Sequence, residues 1–472
     1  MFDYLLFATY YLSIMFNSLR QDEIAAIKNK CWQLDCSQMK LVRNDFTHAL
    51  EGPGYIRMEP DGSLAFKLYF NEPMDEAQGL MWLSERFGRL IPTNKCYKLT
   101  ANDSYGRMWE ATNVLPNTRF VIPSNAPVSG DIYLPLKGFF NSDHKLAHGQ
   151  LSFVCFENYN FPFNSATTKY HDEDGKPIKI GWSLDTAKFE VDELDFFLTN
   201  RDDQFLISIT SKTPSIASIV EMRAIEALQF LLGRAIDWRI CVKHENGVEC
   251  IVIRCAHPVA TAIHPPIRYR GPKGAEYWQL YTKYFEYICQ NKDKDSWHPI
   301  STFIHRILEA RKASIEMQCL ALSVVVEGLL RTEFGAWAKP SEDLLNWIDK
   351  AKNILNLSSP PPSIINRLGG AINSMKRASA SDQLQELLKQ AIITKKEKDT
   401  WSKLRNSSTH PERAFFENYK DAIDAFDTVL TLFYKLIFYR IGYCGKYTDY
   451  RTPDMQDAIF PTKPEFLSAT EK

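Results

Sequence analysis

What this sequence lacks narrows its function before any motif is read. It has no excess of basic charge: 56 Lys and Arg stand against 57 Asp and Glu, a formal net charge of −1. A protein that grips a polyanion with its whole surface is excluded, so any nucleic-acid contact has to come from a local patch. It also lacks a disulfide or zinc framework. The ten cysteines are scattered, and neither Cys31 with Cys36 nor Cys250 with Cys255 has a second ligand pair at zinc spacing. Reduced, buried thiols in a cytoplasm are expected, with no metal and no cofactor. Nor does the opening read as a convincing secretory signal. The opening MFDYLLFATYYLSIMFN is apolar for only about fifteen residues, breaks at Asp3, and has no basic start or small-residue cleavage site. Three readings of it stand, in this order: a segment docked on the protein, an over-extended start with Met15 as initiator, and a membrane anchor.

The front half also shows no catalytic constellation. His48, His144, His148, His171, His244 and His257 share no spacing. His144 and His148 would face a metal together on a helix, but their surroundings read as a solvated loop.

What is present supports two or three domains with substantial cores: 472 residues, 45% hydrophobic and 13% aromatic. A short helical stretch near 23–33 is followed by period-two alternation. Residues 54–70 read as a hairpin turning at Pro60-Asp61-Gly62, with Leu64, Phe66, Leu68 and Phe70 alternating behind it. Further short strands are expected at 96–99, 107–111, 118–122, 131–134, 151–156, 188–194 and 204–210. One helix precedes Gly233, and a last hairpin spans 238–254. Many short strands with polar punctuation predict a sandwich or a curved, barrel-like sheet. Pro265, Pro266, Gly271, Pro272 and Gly274 mark a junction, after which the pattern turns helical. The fold class is therefore α+β, with an N-terminal segment over 1–37, a β-rich domain over 38–265 and a helical bundle over 266–472.

In the helical half, 274–291 and 301–334 each read as one helix. The second carries a narrow polar stripe of Lys312, Glu316, Ser323, Glu327 and Arg331. Glu327 or Glu316 could orient a cation across the bundle, Glu327 the better placed between Val326 and Leu329. A solvated stripe with Lys312–Glu316 and Glu327–Arg331 pairs is the even alternative. Helices over 341–355, 363–377, 382–404 and 411–442 complete the reading. The last carries Phe415, Tyr419, Ile423, Phe426, Leu430, Phe433 and Ile437 as a seam. The tail from Tyr443 reads as irregular.

The stretch 401–413, W-S-K-L-R-N-S-S-T-H-P-E-R, carries the chemistry. Arg405, Asn406 and His410 fall within six residues. An arginine holds a phosphate with a planar fork of donors that stays charged. A histidine exchanges protons near neutrality. Together they can cut RNA without a metal, because the ribose supplies its own nucleophile. Thr409 and Glu412 fit a capping box, which puts His410 in the first turn of a helix, where a phosphate is welcome. Lys395, Lys396, Lys398 and Lys403 lead to the motif as a possible phosphate track, diluted by Glu386, Glu397 and Asp399. A wetted helix face explains the same charges equally well.

Arg405-Asn406 followed by His410, just before a long final helix in a helical C-terminal half, resembles the motif of the HEPN ribonucleases. Tyr55, Arg57 and the E-A-L-Q-F-L-L-G helix in front resemble the N-terminal domain of the ApeA family of anti-phage HEPN proteins. The resemblance implies a bacterial abortive-infection endoribonuclease acting on structured RNA, with tRNA anticodon loops as the first substrate class. It implies pairing into dimers or higher oligomers through the bundle, and a sensing front domain that answers a phage-derived trigger. It gives His410 the acid–base role, Arg405 the phosphate and Asn406 the orienting role.

Overall fold

A computed structural model describes residues 19–44, 49–70, 96–116, 127–141, 148–165, 170–171, 177–178, 184–201, 203–256, 261–269, 274–291, 293, 296–335, 340, 342–358, 360–376, 378–407, 416, 418–452 and 454–461. The apolar opening, the expected strand at 118–122, His48, His144, His257 and His410 lie outside these residues. The chain divides into two compact units. One comprises residues 1–218 and 236–260, and the second comprises 219–235 and 261–472.

The first unit is β-rich. Its early strands are β1 (Gln33–Arg43), β2 (Ala49–Met58), β3 (Leu64–Leu68), β4 (Tyr97–Asp103), β5 (Met108–Pro116) and β6 (Val128–Ile132). They close into a six-stranded antiparallel barrel in the order β1-β2-β3-β6-β5-β4 and back to β1. Alternation explains the closure. Inward residues such as Met39, Ile56, Phe66, Leu99, Trp109 and Val128 are at most 2% exposed, so the interior is packed solid. Gly138 lies directly across from Trp109. A Cβ there would come within 2.8 Å of the indole, so only glycine fits under it. Helix α1 (Gln21–Lys28) is fastened by Arg107. That guanidinium reaches Glu23 at 2.7 Å and Asp103 at 2.6 Å, and Asp103 also accepts from the Trp109 indole at 3.0 Å.

Beyond the barrel, β5 also pairs with β7 (Leu136–Asn141). The sheet then runs on through β15 (Val248–Ile253), β14 (Trp238–Glu245), β8 (Gln150–Cys155), β13 (Gln204–Ser211), β12 (Leu194–Arg201) and β11 (Thr186–Val191). Two short strands, β9 (Tyr170–His171) and β10 (Pro177–Ile178), form a separate hairpin. At the outer strand β11, the Asn164 carboxamide accepts from the Lys188 N–H and donates to the Lys188 carbonyl, both at 2.8 Å. The expected curved, barrel-like sheet is present, and its companion strands are all antiparallel. Strand β1 differs from the expected helix end near Gln33. Its alternation is broken by a bulge between Cys36 and Met39, which hides the period. No disulfide links the cysteines.

The second unit is helical. It holds α2 (Ser218–Leu232), α3 (Ala275–Cys289), α4 (Pro299–Ala310), α5 (Ile315–Glu333), α6 (Glu342–Leu357), α7 (Pro362–Ser374), α8 (Ala380–Lys389), α9 (Lys395–Ser407) and α10 (Tyr419–Ile441). A closing hairpin, β16 (Gly445–Thr448) with β17 (Asp457–Phe460), replaces the irregular tail. Helix α5 packs on α4, α9 and α10, and α9 packs on α8 and α10. Among the described residues no helix is long and apolar enough to cross a membrane.

Three expectations are corrected here. Helix α2, read in sequence with the front domain, belongs to the helical unit. Its Phe230 stacks on Tyr284 of α3 at 4.2 Å. Its fully buried Arg223 pairs with Glu226 and donates to the Asp293 carbonyl at 2.7 Å and the Ser296 carbonyl at 3.2 Å. Glu226 also accepts from the His298 N–H, and His298, pushed down to about 4 by burial, caps α4 as a neutral ring. The single helix expected over 301–334 is two, α4 and α5. Ser314 caps α5 by accepting from Met317 N–H, which leaves Lys312 in the break, paired with Glu309 instead of Glu316. The single helix expected over 382–404 is also two. Ala391 takes a left-handed φ of 56° and stops α8, a conformation that costs a non-glycine residue.

The junction segment is clamped to α10 and the closing hairpin. Tyr434 donates to the His264 carbonyl, Tyr450 to the Pro265 carbonyl at 2.5 Å, and Thr448 N–H to the Pro266 carbonyl at 3.0 Å. The His264 ring stacks on Tyr450 and faces Asp427 at 3.8 Å. Burial, then Asp424, pushes the Asp427 carboxyl up to about 6, against the pull of Arg311. Burial, Arg311 and Arg268 hold His264 below its usual value. A carboxyl whose folded pKa exceeds its unfolded value makes folding take up a proton between the two. Its cost is full above pH 6 and fades as pH falls toward 4. Asp427→Asn is therefore expected to stabilise the protein at neutral pH, on the order of 1–2 kcal/mol after solvent screening. The gain should vanish near pH 4. Melting curves across pH check this, and a pH-independent effect would contradict it.

Candidate active site

Helix α9 builds the site from its first turn. Thr394 and Glu397 form a capping box: the Thr394 N–H donates to Glu397 Oε2 at 2.6 Å, and the Glu397 N–H donates to Thr394 Oγ1 at 3.3 Å. Glu397 is fully buried, and its other oxygen lies 2.8 Å from both Lys435 Nζ of α10 and Arg451 Nη1. Arg451 is itself held by Asp449, which pushes it well above the usual arginine range. Glu397, Trp401 and Leu404 recur at helical spacing and are all buried. The Trp401 indole donates to the Ser323 carbonyl of α5 at 3.0 Å.

The last turn of α9 then presents Arg405. Its Nε lies 2.5 Å from Glu327 Oε2 of α5, and Arg331 Nη2 lies 2.6 Å from Glu327 Oε1. Both sequence readings of Glu327 thus hold together: it reaches across the bundle and keeps its i,i+4 partner. The carboxylate is 15% exposed, Arg405 34% and Arg331 71%, so the charge opens gradually toward solvent. Two guanidiniums around one carboxylate leave this trio with a charge of +1. Asn406 follows on the exposed side.

The structure therefore brings Arg405, Glu327 and Arg331 together, with Asn406 beside them. His410, with the expected capping pair Thr409 and Glu412, lies outside the described residues. Helix α10 begins later than expected: Asn418 caps it by accepting from the Asp421 N–H. Glu316 is corrected. It sits exposed in the first turn of α5, about 16 Å along the helix from Glu327 at 1.5 Å per residue, and has no part in the site. Lys395, Lys396 and Lys403 are exposed on α9. Lys398 is corrected: it is partly buried and donates to Gln385 at 2.5 Å. Glu397 does not dilute the track, because it points into the core.

Sequence reasoning named Arg331 only as the i,i+4 partner of Glu327 and not as a second cation of the site. Among the described residues no group of three His, Cys, Asp or Glu side chains could hold a metal ion. Comparison of the chain with protein-family models, curated proteins and solved structures finds no match.

Proposed function

We propose that this protein is a metal-independent endoribonuclease of the HEPN type, serving anti-phage defence and acting on structured RNA such as tRNA anticodon loops. The observation that carries the reading is the Arg405–Glu327–Arg331 trio, a preset cationic spot at the end of a helix rooted by Glu397. Charge aimed where a phosphate oxygen gains negative charge lowers the barrier most when it needs no rearrangement. In this mechanism Arg405 holds the scissile phosphate, Arg331 adds charge from the solvent side, and Asn406 orients the phosphate or the imidazole. His410 takes the 2′-hydroxyl proton or gives one to the leaving 5′-oxygen. Oxygen attacks phosphorus in line, the 5′-oxygen leaves, and the product carries a 2′,3′-cyclic phosphate. Exposed Lys395, Lys396 and Lys403 supply salt-sensitive backbone contacts. Single-stranded loops suit this chemistry because their riboses can reach the in-line geometry. The protein pairs through its helical bundle, and its β-rich unit answers the trigger.

The test is direct. The purified full chain is incubated with total RNA, with and without EDTA, and the RNA ends are sequenced. Discrete cuts in loops, cyclic phosphate ends and full activity in EDTA are expected. Loss of cutting on chelation would overturn the mechanism. RNA binding without any cutting would favour a non-catalytic RNA-binding or oligomerisation module.

A further inference from the structure

Helices α6 and α7 form a hairpin that packs chiefly on itself. Lys376, just past α7, reaches back to Asp349 of α6 at 3.1 Å, so the two helices run antiparallel. Among the described residues, Ile348 is the only buried side chain of the pair, with Leu355, Ile365 and Ile372 half-buried. Two short helices that bury so little have few of the tertiary contacts from which helices in proteins draw most of their stability. The hairpin also carries a second apolar side. On α6, Trp347 is 65% exposed and Ile354 62%. On α7, Ile364, Leu368 and Met375 are between 45% and 55% exposed. At about 100° per residue, the first two point within about 20° of each other and the other three within about 40°. Because both helices are right-handed, the two stripes fall on the same side of the antiparallel hairpin and make one apolar face.

The charges around this face say what covers it. Asp343 and Lys350 are both exposed, lie one heptad apart on the same rim of α6, and bracket Trp347 in sequence. The Lys350 ammonium sits 4.8 Å from the centre of the Trp347 ring. Seven residues span about 10.5 Å of helix, beyond the three- and four-residue spacings that pair within one helix. Across a two-fold axis near Trp347 the two charges do meet: Asp343 of one copy faces Lys350 of the other, twice. Leu368 and Met375 are also one heptad apart. They exchange across the same axis, because the Lys376–Asp349 pair sets the end of α7 beside the middle of α6. We infer that the α6–α7 face is a self-association surface, on which a second copy of this chain lays its own hairpin to complete a four-helix layer. An anionic membrane is the poorer fit, since α6 carries Asp343 on the rim and Glu342 and Asp349 near it. The inference rests on the pairing proposed above and gives it a surface, but it uses no residue of the candidate active site.

The experiment is sedimentation velocity of the full chain over a dilution series, with circular dichroism to confirm that each variant is folded. The wild type is expected to self-associate, and Trp347→Glu to weaken association about tenfold or more, because a central aromatic anchor becomes a charge. Asp343→Lys and Lys350→Asp should each weaken it several-fold, since like charges then face each other across the axis. The double variant, Asp343→Lys with Lys350→Asp, should restore wild-type association. All three positions are exposed, so the variants are expected to fold. An oligomer unchanged by Trp347→Glu would overturn the surface and leave the pairing standing. A wild type that stays monomeric would overturn both, and RNA cleavage by that monomer would leave the nuclease reading intact. Single charge reversals without rescue in the double variant would overturn the two-fold arrangement. A monomeric wild type that sediments with phosphatidylserine vesicles, when Trp347→Glu does not, would assign the face to a membrane instead.

Discussion

Arg405→Ala is expected to slow RNA cleavage about 10²–10³-fold while the protein stays folded, the loss typical of removing one preset donor from a charge-stabilising site. The side chain is a third exposed and ends a helix, so its removal leaves no hole in the core. Arg405→Lys should recover little, because an ammonium lacks the planar fork. His410→Ala should lose a comparable factor through its acid–base role. Glu327→Gln tests the support. It keeps the shape but not the charge that holds Arg405 at 2.5 Å, so a smaller loss, about tenfold, is expected, with RNA affinity kept or raised. Initial rates on a defined stem-loop RNA, with circular dichroism to confirm folding, check all four. Wild-type rates in folded Arg405→Ala and His410→Ala would end the ribonuclease reading.

Glu397→Ala is expected to destabilise the helical unit by about 3–5 kcal/mol, the usual cost of removing one partner from a buried ion pair. Two effects add. Lys435, 6% exposed, loses its anion, and α9 loses the oxygen that caps its first turn. Glu397→Gln should recover the cap but not the charge, and fall between. The double variant with Lys435→Met should win back part of the loss, since no charge is then left buried. Urea unfolding of the three variants measures this. Equal midpoints for Glu397→Ala and the wild type would show that the buried cations are satisfied otherwise. Because the same helix ends in Arg405, Glu397→Ala should also lower cleavage without touching RNA.

Much of the fold could be read from local pattern. The hairpin around Pro60-Asp61-Gly62 and the last β-hairpin were visible because alternation and turn residues coincide there. What escaped were features that local pattern does not carry. The apolar period runs through both helix breaks, and only capping residues, Ser314 and the Thr394–Glu397 box, marked them. The place of α2 depends on which core covers a helix buried on nearly every side, its Arg223–Glu226 pair included, which chain order does not disclose. At the site, Glu327 stood out as a charge in an apolar helix, yet its choice of partner needed α9 beside α5. Glu397 was misread as a solvent charge because three lysines flank it in sequence.

Among the described residues, a sheet that curls shut at one end keeps one margin to guard, and here that margin is β11. Its backbone would otherwise offer unmet donors and acceptors to a passing strand from another molecule. The Asn164 amide imitates one residue of such a strand and satisfies Lys188 on both sides. A wide antiparallel sheet thereby stays finite, and this protein carries its own stopper against growing into a fibre.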